Sequence, residues 1–208
     1  RELLDREGVR LAGVVINKVQ PKKYDQVREL VSLGFERRGI RVLGVLPYDD
    51  VLPVPTMQTI MEEVGGELIS RQVEDANLNV LVRHYLVGAM STHQAMDYFQ
   101  PGPLVITPSD REDMILAAIG MSMADRYRQR ENVAGLILTG KSQPHPAILE
   151  LIQRSRVPTL AVRDDTYTVA SQIHDLMAKI RYTDKSKIEH ATRLVSQFVN
   201  LSEVCRGC

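Results

Sequence analysis

The sequence has 208 residues, of which 44% are hydrophobic and 25% are charged, values that are ordinary for a globular protein. Lysine and arginine together number 26, aspartate and glutamate also number 26, and the formal net charge is zero. Neither residues 1–72 nor residues 73–208 carry a basic surplus, which argues against nucleic acid and anionic membrane surfaces as partners. No apolar run approaches the roughly 18 residues of a membrane-spanning helix.

Cysteine is confined to the end of the chain, as Cys205 and Cys208. This placement excludes a disulfide framework in the core, and we expect a frayed terminus without a metal or redox role. The near absence of cysteine elsewhere suits a reducing compartment, so we expect a cytoplasmic protein.

The first 72 residues are predicted to contain a parallel βαβ unit. The apolar runs Leu11–Ile16 and Val42–Leu46 each predict a buried strand, and residues 25–38 predict the helix between them. Thr56 is predicted to cap a further short helix. Because the chain opens on a short helix with no strand before it, we expect the fold to begin upstream of Arg1.

From Leu78 onward, strands alternate with helices, a pattern typical of an α/β layer structure. Polar residues 70–77 mark the expected boundary, which gives domains over residues 1–72 and 76–183 and a C-terminal helix and tail over residues 184–208. The predicted elements of the second part are strands 78–87, 103–106, 134–138 and 159–162, helices 91–99, 111–127, 145–154 and 166–180, and a last helix over 184–199.

Gly135–Ser142 satisfies the phosphate-loop pattern G-x-x-x-x-G-K-[ST] letter for letter. That chemistry needs the four middle residues in a solvent-facing loop whose amides surround phosphate. Here those residues are Leu-Ile-Leu-Thr, and burying each large apolar side chain stabilises the fold by about 1.5–3 kcal/mol. We therefore predict a buried strand that ends in a polar loop at Lys141, and no phosphate loop.

Polar residues follow three consecutive predicted strands. Because ligands of open α/β sheets bind at the carboxyl ends of the strands, these loops predict one ligand site. The plain structural alternative is that Ser109, Asp110 and Asp165 only cap helices. The candidate ligand-binding residues are Thr107, Asp110, Arg111, Thr139, Gly140, Lys141, Asp165, Thr166 and Tyr167. The five histidines are scattered and nucleophile motifs are missing, so we predict neither a catalytic nor a metal site.

At these loops the sequence resembles the DRTGG domain family over about residues 76–183. The stretch Thr107–Asp113 resembles the family's Asp-Arg element, and Leu138–Gly140 its Thr-Gly element, with Lys141 at the place of the second glycine. A further stretch, residues 165–168, is also similar. The resemblance implies an α/β/α domain with the topology of the amino-terminal domain of HPr kinase.

Residues 1–72 resemble the carboxyl half of a dethiobiotin-synthetase-like P-loop domain. The resemblance rests on the strand ends V-V-I-N-K-V and G-V-L-P, and it implies that Asn17, Lys18 and Pro47 contact a nucleotide base. The order of the two parts resembles the amino-terminal regulatory region of long bacterial phosphotransacetylases. It implies an α/β chain with a partial P-loop-type sheet unit followed by the DRTGG domain, without acetyl transfer.

Three functions remain open at this point. The first is a non-catalytic regulatory module, a homo-oligomer such as a homodimer, that senses a small anionic ligand, for which ATP or another adenine nucleotide is the candidate. The second is a fragment of an ATP-dependent synthetase or ligase, similar to dethiobiotin or cobyrinic acid diamide synthase, whose phosphate loop lies upstream of residue 1. The third is a structural assembly domain that uses the helix over residues 184–199 as a partner face.

Overall fold

A computed structural model describes residues 2–70, 78–99, 102–123, 133–176 and 178–207. Contacts between Cα atoms divide the chain into two compact units: unit 1 comprises Arg1–Pro53 and Ile180–Cys208, and unit 2 comprises Val54–Lys179. In chain order, the helices and strands are α1 (Glu2–Arg6), β1 (Val14–Val19), α2 (Tyr24–Glu36), β2 (Val42–Pro47), α3 (Met57–Val64), β3 (Glu67–Leu68), β4 (His84–Val87), α4 (Thr92–Met96), β5 (Pro103–Pro108), α5 (Glu112–Met123), β6 (Gly135–Thr139), α6 (Pro146–Arg154), β7 (Thr159–Val162), α7 (Thr166–Asp175), α8 (Lys185–Phe198) and α9 (Leu201–Gly207).

Unit 1 is built on a parallel pair of strands, β1 and β2. The predicted helix between them is α2, and the structure confirms the βαβ order. The expectation that the first strand is buried is wrong: Leu11 is 37% and Val15 43% exposed, and the burial of β1 alternates. The physical reason is that the helices of unit 1, α2, α8 and α9, pack against β2, and none of them packs to a similar extent on β1.

The carboxyl-terminal helices also belong to unit 1, where both α8 and α9 contact β2. The junction between them runs beside β2: Val199 forms an antiparallel bridge with Gly44, and the Asn200 amide donates to the Leu43 carbonyl at 2.7 Å. A Cβ atom at Gly44 would lie 2.6 Å from the Phe198 carbonyl oxygen, so this approach requires glycine.

Two side chains of α8 hold the loop that follows β2. His190 Nε2 lies 2.7 Å from Asp49 Oδ2, and Lys187, only 1% exposed, donates from Nζ to the Leu52 carbonyl at 3.3 Å. Asp49 Oδ1 in turn accepts from the amides of Val51 and Leu52. The loop is therefore fixed by helix α8 through a buried lysine and an acid–histidine pair.

Unit 2 contains a five-stranded sheet in the order β3-β7-β6-β5-β4. Strands β4 to β7 are parallel, and the two-residue strand β3 pairs antiparallel with β7. Each of the three central strands is almost fully buried, as expected for parallel strands covered on both faces.

Alternate residues of the central strands enter two separate cores, which makes unit 2 a three-layer α/β/α structure. One core joins α3 and α7 to strand residues such as Ile106 and Leu160. The other joins α4, α5 and α6 to residues such as Val105 and Leu138. The predicted α/β fold class is confirmed.

The division of the chain differs from the expected one. The expected boundary at residues 70–77 lies mostly outside the described residues, and the compact units divide at Pro53 and Val54. The reason is that α3 packs on the five-stranded sheet, with Met57 and Ile60 fully buried in its core. Likewise residues 184–208 are not a separate tail, because α8 and α9 contact β2.

Several element boundaries also differ. Only His84–Val87 of the expected strand 78–87 is a strand, and neither β3 nor α9 is predicted, so the expected frayed terminus is helical through Gly207. The predicted end of α5 near residue 127 lies outside the described residues. In the part of the chain that the structure describes, no helix is long and apolar enough to cross a lipid bilayer.

Candidate functional site

The carboxyl ends of strands β4, β5, β6 and β7 lie side by side along one edge of the sheet of unit 2. Their register pairs Val87 with Ile106, Pro108 with Thr139, and Thr139 with Val162. The loops that follow these strands therefore start at neighbouring points, and all nine residues predicted to bind ligand in this domain lie in them or at their borders. We call this edge, formed by the loops that directly follow β4, β5, β6 and β7, the strand-end edge.

Hydrogen bonds fasten the loop after β5 to the loop after β4. The guanidinium of Arg111 donates from Nη1 to the Gly88 carbonyl at 2.9 Å and from Nη2 to the Met90 carbonyl at 3.0 Å. It also donates to both carboxylate oxygens of Asp113, at 2.9 and 3.0 Å. These bonds occupy four of the five N–H donors of arginine. Arg111 thus holds two loops together, and one of its N–H donors has no partner among the described residues.

Arg111 and Asp113 shift each other's pKa in opposite directions. The hydrogen bond from Arg111, with a second one from the Thr92 hydroxyl, holds the pKa of Asp113 well below its ordinary value. The hydrogen bond to Asp113 likewise raises the pKa of Arg111. Asp113 was not among the predicted site residues, although an acidic residue two positions after an arginine is a visible signal in the sequence.

Ser109 fastens the loop after β5 to the loop after β6. Its hydroxyl lies within hydrogen-bond distance of the carbonyls of Thr139, at 3.1 Å, and Ser142, at 2.7 Å, and its amide donates to the Thr139 carbonyl at 3.0 Å. Ser109 is buried, so these contacts are shielded from water. From the sequence, Ser109 was expected only to cap a helix, and its contacts across the strands depend on the pairing of β5 with β6.

The loops after β6 and β7 are joined in the same way. The hydroxyls of Thr139 and Thr166 lie 2.7 Å apart, and the Gly140 amide donates to the Asp164 carbonyl at 2.9 Å. Gly140 has φ of 94°, in the region that side chains disfavour. The Thr-Gly element therefore makes a turn that ties β6 to the start of α7.

Asp165 caps α7 as predicted. Its carboxylate accepts from the amides of Tyr167 and Thr168 and from the Thr168 hydroxyl, which together lower its pKa. The Tyr167 side chain is 81% exposed, and Asp110 and Lys141 are exposed as well. These three side chains are presented to solvent at the strand-end edge.

Thr107 is the buried member of the predicted site. It is 0% exposed, and its Oγ1 has no hydrogen-bond partner among the described residues. A Cβ at Gly88 would lie 2.8 Å from this oxygen, so the hydroxyl sits directly beneath the loop after β4. Leaving a buried hydroxyl unpaired costs about 1–3 kcal/mol.

The structure confirms that the phosphate-loop pattern is not a phosphate loop. Gly135–Thr139 is strand β6, and all five residues are buried. Helix α6 begins at Pro146 rather than at Lys141, so its N-terminus is not joined to the lysine of the pattern.

The three candidate residues of unit 1 lie at the carboxyl ends of β1 and β2. Val19 pairs with Pro47 next to a register shift, and Asn17 Oδ1 accepts from the Lys18 amide at 2.8 Å. Lys18 has φ of 61°, in the left-handed region that residues other than glycine seldom occupy. The structure thus brings Asn17, Lys18 and Pro47 to one end of this strand pair.

Comparison with known proteins gives one family and a group of longer relatives. The family model described as the DRTGG domain matches residues 59–176. Phosphate acetyltransferase of Nitratidesulfovibrio vulgaris is 29% identical over 208 residues, which are 98% of this chain and 29% of that protein. Phosphate acetyltransferase of Synechocystis sp. is 30% identical over 199 residues, 94% of this chain and 28% of that protein. The chain therefore spans less than a third of the length of these curated relatives.

One solved structure matches with a TM-score of 0.47 and 14% identity over 90% of each chain. It is the crystal structure of the CBS and DRTGG domains of the regulatory region of Clostridium perfringens pyrophosphatase, complexed with the activator diadenosine tetraphosphate. The family match covers more than half of the sequence and contains Arg111, Thr139 and Gly140, whose contacts join the loops of the strand-end edge. This chain belongs to the DRTGG domain family.

Proposed function

We propose that this chain is a non-catalytic regulatory module whose DRTGG domain senses a small anionic ligand at the strand-end edge. The observation that carries the proposal is the set of cross-strand hydrogen bonds made by Arg111, Ser109 and Gly140, which fixes the loops in place before any ligand arrives. A preformed loop cluster of this kind binds without a large ordering cost. In a longer protein similar to the phosphate acetyltransferases, such a module would adjust activity without performing the chemistry.

An adenine nucleotide fits the exposed side chains of this edge. Lys141 supplies a mobile ammonium group for phosphate, and Tyr167 supplies an open aromatic face for a base. Thr107 and the remaining N–H donor of Arg111 are further polar groups without a described partner. ATP is therefore the first ligand to test, and we place the protein in the cytoplasm because of its sparse cysteine.

Calorimetric titration of the full chain with AMP, ADP and ATP tests this proposal. We expect Lys141→Ala and Tyr167→Ala each to weaken nucleotide binding by about tenfold, since base stacking and phosphate pairing each contribute on the order of 1–3 kcal/mol. Lys185→Ala and Tyr182→Ala are matched controls, because both residues are exposed and lie in unit 1. Equal affinities in all four variants, or no heat with any nucleotide, would contradict the proposal.

A second candidate function places the nucleotide in unit 1, as part of an ATP-dependent synthetase-like protein. The observation that favours it is the left-handed backbone of Lys18 beside Asn17, because a strained residue at a strand end often belongs to a binding site. The same titration separates the two: here Asn17→Ala and Lys18→Ala weaken ATP binding, and Lys141→Ala and Tyr167→Ala do not.

We also propose that the module assembles with copies of itself through α8. Ile188 and Val195 lie two turns apart on one face of this helix and are 39% and 38% exposed. Light scattering on the double variant Ile188→Glu, Val195→Glu tests this, with Arg193→Glu as the control for added charge. A homodimer that dissociates only in the double variant supports the proposal, and an unchanged mass in both variants removes α8 from the interface.

A further inference from the structure

Unit 1 contains a cleft of about 520 Å³ that is separate from the three candidate residues at its strand ends. Its floor is formed by Val42–Val45 of β2. One wall is formed by α2 and the other by the α8–α9 junction, residues 197–200. A cleft of this volume falls within the roughly 300–1,000 Å³ of small-molecule sites.

The wall formed by α2 presents Tyr24, Arg28 and Ser32 to the cleft. These residues are four positions apart, so they lie on one face of the helix. The Tyr24 hydroxyl donates to the Val45 carbonyl at 2.8 Å, and its ring meets Phe198 edge-on, with 6.0 Å between the centroids. Tyr24 therefore closes one end of the cleft in a fixed position.

The opposite wall is held in place by the backbone. The Asn200 amide donates to the Leu43 carbonyl. The backbone of Phe198 and Val199 lies so close to Gly44 that a Cβ atom there would clash with it. Asn200 Oδ1 accepts from the Glu203 amide at 3.3 Å, and Asn200 is one of the residues that line the cleft. Gln197 adds a second side-chain amide.

Charge decides the kind of ligand that this cleft would take. Arg28 is exposed and has no ion pair within the described residues, and none of the described residues that line the cleft is acidic. The lining thus combines one guanidinium that has no ion pair among the described residues, several hydroxyl and amide groups, and the rings of Tyr24 and Phe198.

We propose that this cleft binds a small amphipathic anion, whose oxyanion head pairs with Arg28 and Ser32 and whose apolar part lies against the contacting rings of Tyr24 and Phe198. A planar guanidinium suits both carboxylate and phosphate oxygens. This site is independent of the nucleotide site proposed above, because it shares no residue with either candidate location.

Two fluorescent probes test the proposal on the full chain. 8-Anilinonaphthalene-1-sulfonate carries an anionic head on an aromatic body, and N-phenyl-1-naphthylamine carries the same ring system without the head. We expect saturable binding of the sulfonate with one site per chain, and binding of the neutral probe that is at least tenfold weaker. Octanoate and octyl phosphate then compete against the bound sulfonate, with octanol as the neutral competitor, and the more effective anion identifies the head group.

Variants assign the binding to this cleft. We expect Arg28→Ala to weaken sulfonate binding about tenfold and Arg28→Lys to restore part of it, whereas Arg37→Ala, an exposed arginine at the end of the same helix, leaves it unchanged. Ser32→Trp fills the cleft and should abolish binding of both probes. Equal sulfonate affinity in wild type and Arg28→Ala, equal affinity for the two probes, or failure of both anions to compete would each overturn the proposal.

Discussion

Arg111 and Asp113, two residues apart in sequence, are joined by two hydrogen bonds, from Nε to Oδ1 at 2.9 Å and from Nη2 to Oδ2 at 3.0 Å. The carboxylate fixes the plane of the guanidinium, and that plane directs two further N–H donors to the carbonyls of Gly88 and Met90. The Asp-Arg element of the family therefore connects the ends of β4 and β5 in this chain.

Replacement of Arg111 should cost stability. We expect Arg111→Ala to lower the free energy of unfolding by about 2 kcal/mol, because charge-assisted hydrogen bonds to two partly buried carbonyls are lost. Arg111→Lys should recover less than half of this loss, since lysine cannot reproduce the planar, two-sided geometry. Urea denaturation measures the change, with Lys141→Ala as a control expected within about 0.5 kcal/mol of wild type. Equal stability of Arg111→Ala and wild type would contradict this role.

The contact between Asp49 and His190 should make stability depend on acid pH. Burial alone would raise the pKa of Asp49, but the hydrogen bonds from His190 and from the amides of Leu52 and Val51 lower it overall. Because the folded pKa lies below the ordinary value of 3.8, the stabilisation is fully present above that value and is lost as the pH falls through the folded pKa.

We therefore expect Asp49→Asn to unfold about 1–2 kcal/mol more easily than wild type at pH 7, and the difference to shrink below about pH 4. Urea denaturation at pH 7, 5 and 3 measures it, with Asp50→Asn as the matched control at the neighbouring position. A difference that stays constant down to pH 3 would show that Asp49 does not act through its charge.

The buried Lys187 should produce a pH dependence at the alkaline end. Burial lowers the pKa of Lys187 from 10.5, and the nearby charge of Asp184 offsets part of that change. Between the folded pKa and 10.5 the unfolded chain binds more protons than the folded chain, so stability rises with pH in that window. Lys187→Met should remove this rise, whereas Lys185→Met, at an exposed position on the same helix, should keep it. Parallel stability curves of wild type and Lys187→Met from pH 8 to 10.5 would refute the assignment.

Two glycines of unit 1 should respond to alanine in opposite directions. A Cβ at Gly44 would lie 2.6 Å from the Phe198 carbonyl oxygen and 2.9 Å from Val199 Cα, so Gly44→Ala should destabilise by about 1–3 kcal/mol. Gly34 lies within α2 and has open space where an added Cβ would lie, so Gly34→Ala should stabilise by up to about 1 kcal/mol. Thermal unfolding of both variants measures the contrast, and destabilisation of both would contradict the assigned packing.

The sequence predicted the elements that are governed by local chemistry. Thr56 caps its helix through the Thr59 amide, and the apolar residues 135–138 form a strand despite matching a phosphate-loop pattern. The cap depends on one residue next to the helix, and the strand depends on the burial of consecutive apolar side chains. Both can be recognised from residues that are neighbours in the sequence.

Features that depend on distant contacts could not be predicted. The burial of β1 depends on whether a helix covers its faces, and the two-residue strand β3 exists only because Glu67 and Leu68 reach β7. In the same way, the contacts of Arg111 with two carbonyls of the loop after β4 depend on how the strands are paired, and its role as a ligand contact stays a prediction.

Unit 1 is interrupted in sequence by the whole of unit 2, since residues 54–179 separate β2 from helix α8. During translation, the inserted segment is therefore synthesised before the residues that complete the cover of β2. Until residue 187 has left the ribosome the nascent chain lacks the lysine that reaches Leu52, and until residue 200 has left it lacks the partner of the Leu43 carbonyl. Unit 2, whose residues are contiguous, can therefore fold while unit 1 is still incomplete.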